Sequence, residues 1–441
     1  MWPRALALAS LAGCGDAITL EIASDRPIPT AIDAICVGVG DTAPGGGQFG
    51  KRYALADKLA SLPQTLRVEP GRADAAWAWV RGDRGGVPAV RAERGVDFGD
   101  DITLALDRCQ RGGSGAPSVI GDPAGPAAAR LVVSHGVAGA RVIAVADGAS
   151  AILDVSGGAL VATDGPPIAG NVLALEALDL DGDCDDDVIV ATSAGPPAIW
   201  RRDGTTFVEA GALGETAVAA VGFADVDRDQ DIDVVTGSGG ALTLWRNDGS
   251  GTFAPDPAAL SAAGRVSSIR ALALGDLDGD GNPDLVVGQA GDPLEAWLGE
   301  QTGSFQPADA VVPAVPLDVA RLSLADVDGD FDPDLAVAVT GAPLRLYIDR
   351  EGLLEDQTFV RFPDVVLARA TAFGGFDGGC EPDAVIAGDP DTLVLRGQDG
   401  GMFAADAMLP PATDAVLVDL DRDGDLDAIL STAEGARWVA R

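Results

Sequence analysis

Five stretches of this chain set an aspartate, once an asparagine, at every second position over nine residues. They comprise Asp179, Asp181, Asp183, Asp185 and Asp187; Asp225, Asp227, Asp229, Asp231 and Asp233; Asp276, Asp278, Asp280, Asn282 and Asp284; Asp326, Asp328, Asp330, Asp332 and Asp334; and Asp419, Asp421, Asp423, Asp425 and Asp427. A sixth, worn copy runs from Gly375 to Asp383 and keeps only Asp377, Glu381 and Asp383. Successive copies begin 44–51 residues apart. A period of that size reads as one structural unit used many times, and it governs the architecture of everything around it.

Each unit follows the same plan. An apolar run such as "ALALG" or "RLSLA" precedes the acidic loop, and another such as "LVVG" or "LAVAV" follows it. About a dozen residues beyond the ninth loop position stands a large side chain: Trp200, Trp245, Trp297, Tyr347, Leu395 or Trp438. Glycine-rich turns ending in phenylalanine come next in "WRNDGSGTF", "WLGEQTGSF" and "LRGQDGGMF". The unit reads strand, loop, strand, strand, turn, strand. Four strands in such a length make one propeller blade, and blades bury their faces by stacking in a ring. Residues 129–165 repeat the strand plan without the aspartates and bring the count to seven. The last unit lacks a fourth strand, and "APSVIG" at 116–121 lies just ahead of the first blade. The spacing predicts that this segment completes the last blade and removes the open edge. The expected fold is all-β, a seven-bladed β-propeller over residues 116–441.

Aspartates this close repel one another unless a cation lies between them. Alternating oxygens on a short loop can wrap Ca²⁺, which takes six to eight oxygen ligands in flexible geometry. Positions 1, 3, 5 and 9 offer carboxylates, and position 7 a backbone carbonyl, so that its side chain can vary between aspartate and Asn282. Mg²⁺ prefers to keep several waters, and Zn²⁺ wants histidine or cysteine. About five Ca²⁺ sites are therefore expected, one per complete loop. The worn loop has Gly375 and Gly379 at positions 1 and 5 and is expected to be empty or weak. Cys184 and Cys380 both hold position 6 of their loops, three blades apart, too far for a disulfide. Both are expected as free thiols.

The loops, the four-strand plan and "TGAP" at 340–343 resemble the FG-GAP repeats of the integrin α-subunit propeller and of the bacterial VCBS or FG-GAP repeat proteins. "TSAGPP", "QAGDP" and "AGDP" are looser forms of the GAP element. The resemblance covers about residues 115–441. It implies structural calcium in some blades, on the face opposite the one that binds ligand. Nothing in the chain resembles the integrin legs or membrane span, so integrin signalling does not carry over.

Residues 17–112 lack the repeat. About seven short alternating runs there, from "AITLEIA" to "ITLALDR", suggest an immunoglobulin-like β-sandwich. Residues 112–118, "GGSGAPS", read as a linker. Arg81–Gly82–Asp83 matches the tripeptide that integrins bind, but "RGDRGG" reads more simply as a hairpin turn. The first residues, "MWPRALALASLAGC", hold one arginine, a short apolar run and an L-A-G-C ending similar to the bacterial lipobox. On that reading residues 1–13 are a signal peptide and Cys14 becomes a lipidated N-terminus, placing the protein in the cell envelope. Export favours disulfides, and Cys36 and Cys109 share one domain and form the expected pair.

The charge excludes several function classes. Lys+Arg number 30 against Asp+Glu 68, a net charge of −38. Such a surface repels nucleic acid and anionic lipid, so no nucleic acid is expected as a partner, and the membrane only through the lipid anchor. The single histidine, His135, sits in "VVSHGVAG" and reads as a turn residue rather than a catalytic base. The tryptophans share one position per repeat, as packing residues do. The expectation is a non-catalytic, calcium-stabilised interaction module for a protein or glycan. The alternative is a carbohydrate-active enzyme or lectin, which would need stacking aromatic rings or two opposed carboxylates.

Overall fold

The structure, a computed structural model, describes residues 6–7, 18–24, 34–40, 49–54, 64–68, 75–84, 87–97, 101–106, 116–135, 140–203, 206–229, 231–260, 265–330, 332–363, 367–377, 381–421 and 426–440. Cys14, Cys109, Cys380, Asp423 and Asp425 lie outside these residues, as does the side chain of Cys36. Strands dominate, and a short helix, Thr358–Arg361, is the only one among the described residues. Among them no helix is long and apolar enough to cross a membrane.

From residue 118 onward the strands form antiparallel sets of four, each laid down in chain order. The first sheet starts at Arg130–Ser134, the second at Val172–Leu178 and the third at Ala220–Ala224. The fourth starts at Ile269–Gly275, the fifth at Pro316–Ala325, the sixth at Ala370–Gly374 and the seventh at Asp414–Val418. The fourth and fifth are joined where Ala290 pairs with Asp318. The seventh sheet has three strands of its own, and Ser118–Ala124 supplies the fourth, with Ile120 opposite Trp438. The spacing had pointed to this closing segment.

The first strands of consecutive sheets touch one another, and the first strand of the seventh touches that of the first. They line the inside of a closed ring. The apolar core is accordingly divided among the gaps between sheets. Leu131, Val142 and Leu153 of the first sheet pack with Val418, Ile429 and Trp438 of the seventh. Val235 and Leu244 of the third pack with Leu285, Val287 and Trp297 of the fourth. Burial against both neighbours explains why second strands such as "DVIVAT" and "DLAVAV" are buried throughout rather than on alternate residues.

The repeated large residue is core. Trp297, Tyr347, Leu395 and Trp438 are at most 3% exposed, and Trp200 only 8%. Trp200, Trp245, Trp297, Tyr347 and Leu395 each sit opposite the residue that follows loop position 9. The indole N–H of Trp245 donates to the Thr236 hydroxyl at 2.9 Å.

The seven strands described between residues 18 and 106 make, with Leu6–Ala7, two four-stranded sheets. One holds Gln64–Val68, Ile18–Ser24 and Asp101–Leu106, with Leu6–Ala7 at its edge; the other holds Phe49–Ala54, Ala34–Gly40, Ala75–Arg84 and Val87–Asp97. The reading of Arg81–Gly82–Asp83 as a turn is corrected. Pairing runs on to Arg84↔Val87, so the tripeptide lies within a paired strand, with a bulge between Gly82 and Asp83. Gly and Asp serve the bulge there rather than a hairpin tip.

Candidate metal centres

Each acidic loop joins the first strand of a sheet to the second, and position 9 is the first residue of that second strand. This placement explains why position 9 never varies. Asp284 accepts the Gly299 N–H through Oδ1 at 2.8 Å and the Leu277 N–H through Oδ2 at 2.7 Å. Asp334 makes the same pair with Asp349 and Val327, and Asp233 with Asn247 and Val226. Position 9 therefore latches the loop to the third strand as well as facing the cluster. Sequence reasoning had assigned it only a ligand role. The signal was present in the worn copy, which keeps Asp383 after losing two other positions.

Carboxylates of each loop also gather, position 9 among them in three of the five. In five loops three carboxylates can bring one oxygen each within 4.8 Å of one another: Asp179, Asp181 and Asp183; Asp225, Asp227 and Asp229; Asp276, Asp278 and Asp284; Asp326, Asp328 and Asp334; and Asp419, Asp421 and Asp427. Position 7 contributes less through its side chain. The Asn282 amide N–H donates to Asp280 at 2.7 Å.

Arginines outside the loops grip position 3 from its outer side. Arg201 pairs with Asp181 at 3.4 Å, Arg246 with Asp227 at 2.9 Å and Arg350 with Asp328 at 2.8 Å, each through Oδ2. The other oxygen, Oδ1 of Asp181, Asp227 and Asp328, is buried without a hydrogen-bond donor. A buried acceptor repeated at the same position, close to two other carboxylates, is where a cation could be held. The donor set is all oxygen, which suits a hard ion. Arg396 pairs in the same way with Asp377 of the worn loop at 3.0 Å. For Arg201, Arg246 and Arg396 the signal was the residue after the repeated large side chain, in "WRR", "WRN" and "LRG"; Arg350 stands three residues after Tyr347.

Burial and mutual repulsion show in the carboxyl groups. Enclosure, with Asp181, Asp183 and Asp179 adding their charges, pushes Asp187 up to about 8 despite its bond from the Arg202 N–H. Asp183, Asp233, Asp284 and Asp334 are pushed up to about 7, burial again being the largest cause. A divalent ion would take the place of these protons.

Neighbouring sheets close over the loops. Gly303, in the outer turn of the fourth sheet, has φ +72° and lies where a Cβ would clash with the Arg246 guanidinium of the third. Gly401 of the sixth sheet, φ +71°, meets Arg361 and Asp328 of the fifth. The glycine-rich turns thus serve the loop of the preceding sheet as well as their own backbone.

The other residues singled out from sequence separate. His135 Nδ1 lies 3.4 Å from Asp186, whose carboxylate also accepts the His135 backbone N–H at 2.7 Å. It ties the first sheet to the second. Cys184 is fully buried and disulfide-bonded, which corrects its reading as a free thiol. That reading had weighed Cys380 alone as a partner and left the cysteines before residue 112 aside.

Comparison with known proteins follows the loops. Residues 179–236, 225–287 and 276–337 match the model of the FG-GAP-like repeat. Three FG-GAP-like repeats are present. No curated protein matches the chain. Among solved structures, BBS1N in complex with ARL6DN aligns with a TM-score of 0.50 at 14% identity, over 73% of this chain and 95% of that one. An Agrocybe aegerita lectin, described for its recognition of non-reducing terminal N-acetylglucosamine, aligns with a TM-score of 0.47 at 15% identity, over 97% and 99%. Likeness at 14% identity speaks for the fold alone.

Proposed function

We propose that residues 116–441 form a seven-bladed β-propeller of FG-GAP repeats whose five complete loops bind Ca²⁺, following an immunoglobulin-like sandwich at 17–112. The whole serves as a non-catalytic interaction module for a protein or glycan, held in the bacterial cell envelope by a lipid on Cys14. The observation that carries the calcium reading is the buried, donorless Oδ1 of Asp181, Asp227 and Asp328 at one position of three loops. Closure of the ring by Ser118–Ala124 supports the blade count.

A binding role is favoured over a hydrolytic one by how the acids are used. The loop aspartates are committed to their clusters. Outside the loops, Glu176 lies near enough to Asp414 to feel its charge. Asp414 is held by Arg321 and by the Leu131 N–H, so it has no freedom to act as a nucleophile. Stacking of sugar on the repeated tryptophans is disfavoured, because Trp200, Trp297 and Trp438 are buried between sheets.

Calorimetric titration of chelated protein with calcium tests the first part, and a stoichiometry near five is expected, one for each intact loop. A stoichiometry near zero would overturn it. Recovery of the same envelope partner with calcium but not with chelator tests the second part. Loss of membrane association in Cys14→Ser tests the anchor, and unchanged fractionation would remove it.

A further inference from the structure

One side chain reaches from the acidic loop of the third sheet into that of the fourth. Position 4 of the loop is Gly182 in the second sheet, Gly279 in the fourth and Gly329 in the fifth, each with φ between +73° and +79°. The third sheet sets Arg228 there, at φ +61°. That left-handed conformation is unfavourable for a residue with a Cβ, so something must hold it. Arg228 Nη2 donates to the main-chain carbonyl of Asp280, position 5 of the fourth sheet's loop, at 3.0 Å. The fourth loop is shaped to receive it. Gly281, at position 6, has φ +84°, and a Cβ there would run into the Arg228 guanidinium. The backbone angle alone does not demand glycine at position 6, since Cys184 holds that position in the second sheet at φ +69°. Clearance for Arg228 accounts for Gly281.

The contact joins one carboxylate cluster to the next. Arg228 stands between Asp227 and Asp229, two of the three gathered acids of the third loop, and Asp227 carries the buried, donorless Oδ1 described above. On the other side, the Asp280 carbonyl and the Gly281 N–H belong to one peptide unit. Arg228 holds its oxygen, and its N–H donates to Asp276 Oδ2 at 3.0 Å. Asp276 is one of the gathered acids of the fourth loop. A cationic donor, a peptide and a carboxylate thus lie in one chain, where each bond polarises the next. A second arginine spans the same two sheets. Arg246 pairs with Asp227 at 2.9 Å and donates to the Gly303 carbonyl at 2.8 Å.

We propose that Arg228 couples the cation sites of the third and fourth sheets, so that Ca²⁺ in either raises the affinity of the other. The coupling rests on the calcium reading above and adds the regulation of two of its sites. Without an ion, Asp227 and Asp229 repel each other and favour release of the left-handed turn between them. An ion that draws both together fixes Arg228 and keeps its guanidinium on the Asp280 carbonyl. The peptide then presents its N–H to Asp276, and the fourth cluster is ordered before its own ion arrives. Ordering that has already been done lowers the cost of the second binding event. By linkage the effect runs equally in the other direction.

Calorimetric calcium titration of a full chain that keeps only these two sites tests the coupling. Asp181→Ala, Asp328→Ala and Asp421→Ala remove the other three. Adding Asp278→Ala leaves the third site alone, and adding Asp227→Ala instead leaves the fourth. The product of the two association constants in the two-site chain should exceed the product of the single-site constants by about fivefold or more. Arg228→Gly, which restores the residue of the second, fourth and fifth sheets, should bring that ratio to about 1. So should Gly281→Ala, which keeps the charge and displaces the guanidinium. A ratio near 1 with Arg228 in place would overturn the proposal, as would a raised ratio that survives Arg228→Gly. In the chain with all five loops intact, Arg228→Gly should melt as the wild type does in chelator and gain a smaller rise from calcium; an equal rise would also overturn it. Calcium bound at both sites without coupling refutes the role of Arg228 alone, whereas no bound calcium refutes the calcium reading and the coupling with it.

Discussion

Asp383 accepts the Gly397 N–H at 2.8 Å, the bond that Asp284 makes with Gly299 at the same distance in an intact loop. The worn loop has lost two ligand positions and kept its latch. Fastening the hairpin and holding a cation are therefore separable tasks, given to different aspartates of one motif.

The separation predicts two kinds of mutant. Asp383→Ala leaves the part-buried N–H groups of Asp377 and Gly397 without their acceptor and should cost about 1–3 kcal/mol. The loss should be the same in calcium and in chelator. Asp278→Ala should match wild type within about 1 kcal/mol in chelator and lose one equivalent of bound calcium. Asp377→Ala should lose little or no calcium. Denaturant unfolding under both conditions checks all three, and a calcium-dependent loss in Asp383→Ala would show that the two tasks are not separate.

Calcium should stabilise the ring as a whole. Extracellular modules bind it at about 10⁻⁴–10⁻³ M, so a few millimolar adds roughly 1–2 kcal/mol per site. Thermal melts across a calcium series should rise by many degrees, and equal magnesium should do much less. A melt indifferent to both calcium and chelator would reduce the loops to solvated turns.

The pH dependence has a definite sign. Without cation, Asp183, Asp187, Asp233, Asp284 and Asp334 titrate at about 7–8, well above their unfolded values. The folded state then binds protons more tightly than the unfolded one. The stability they contribute is fully present below about pH 4 and is lost as pH rises through 7–8. Chelated protein should melt lower at pH 8 than at pH 5. Calcium, which competes with those protons, should stabilise most at pH 8. Melts at both pH values, with and without chelator, would disprove the linkage if chelated protein were the more stable at pH 8.

Cys184 must take its partner from Cys14, Cys36, Cys109 and Cys380. Peptide mapping of unreduced protein should therefore find Cys184 joined to one of these four; a crosslink to Cys36 or Cys109 would rule out the expected Cys36–Cys109 pair. Recovery of a Cys36–Cys109 peptide would establish that pair instead.

The parts of this molecule that were legible in advance are those written locally. Alternating apolar residues on either side of each acidic loop specify two strands, and a fixed spacing to the next aromatic specifies a third. Even the closing strand could be found, because a missing fourth strand leaves a gap in a strict period. The latch was hidden because one residue type carries two roles at position 9. The Arg321–Asp414 pair was hidden for a different reason. Its members lie 93 residues apart, and only the curvature of the ring brings them face to face.

The pairing of Ser118–Ala124 with Gly435–Ala440 also sets an order on synthesis. The closing strand leaves the ribosome before the other strands of the ring and its partner after them, more than 300 residues later. At about 5–20 residues per second it waits at least 15 seconds with an open apolar edge. Until then the growing chain is an arc with two exposed ends, and the first sheet has no neighbour on one side.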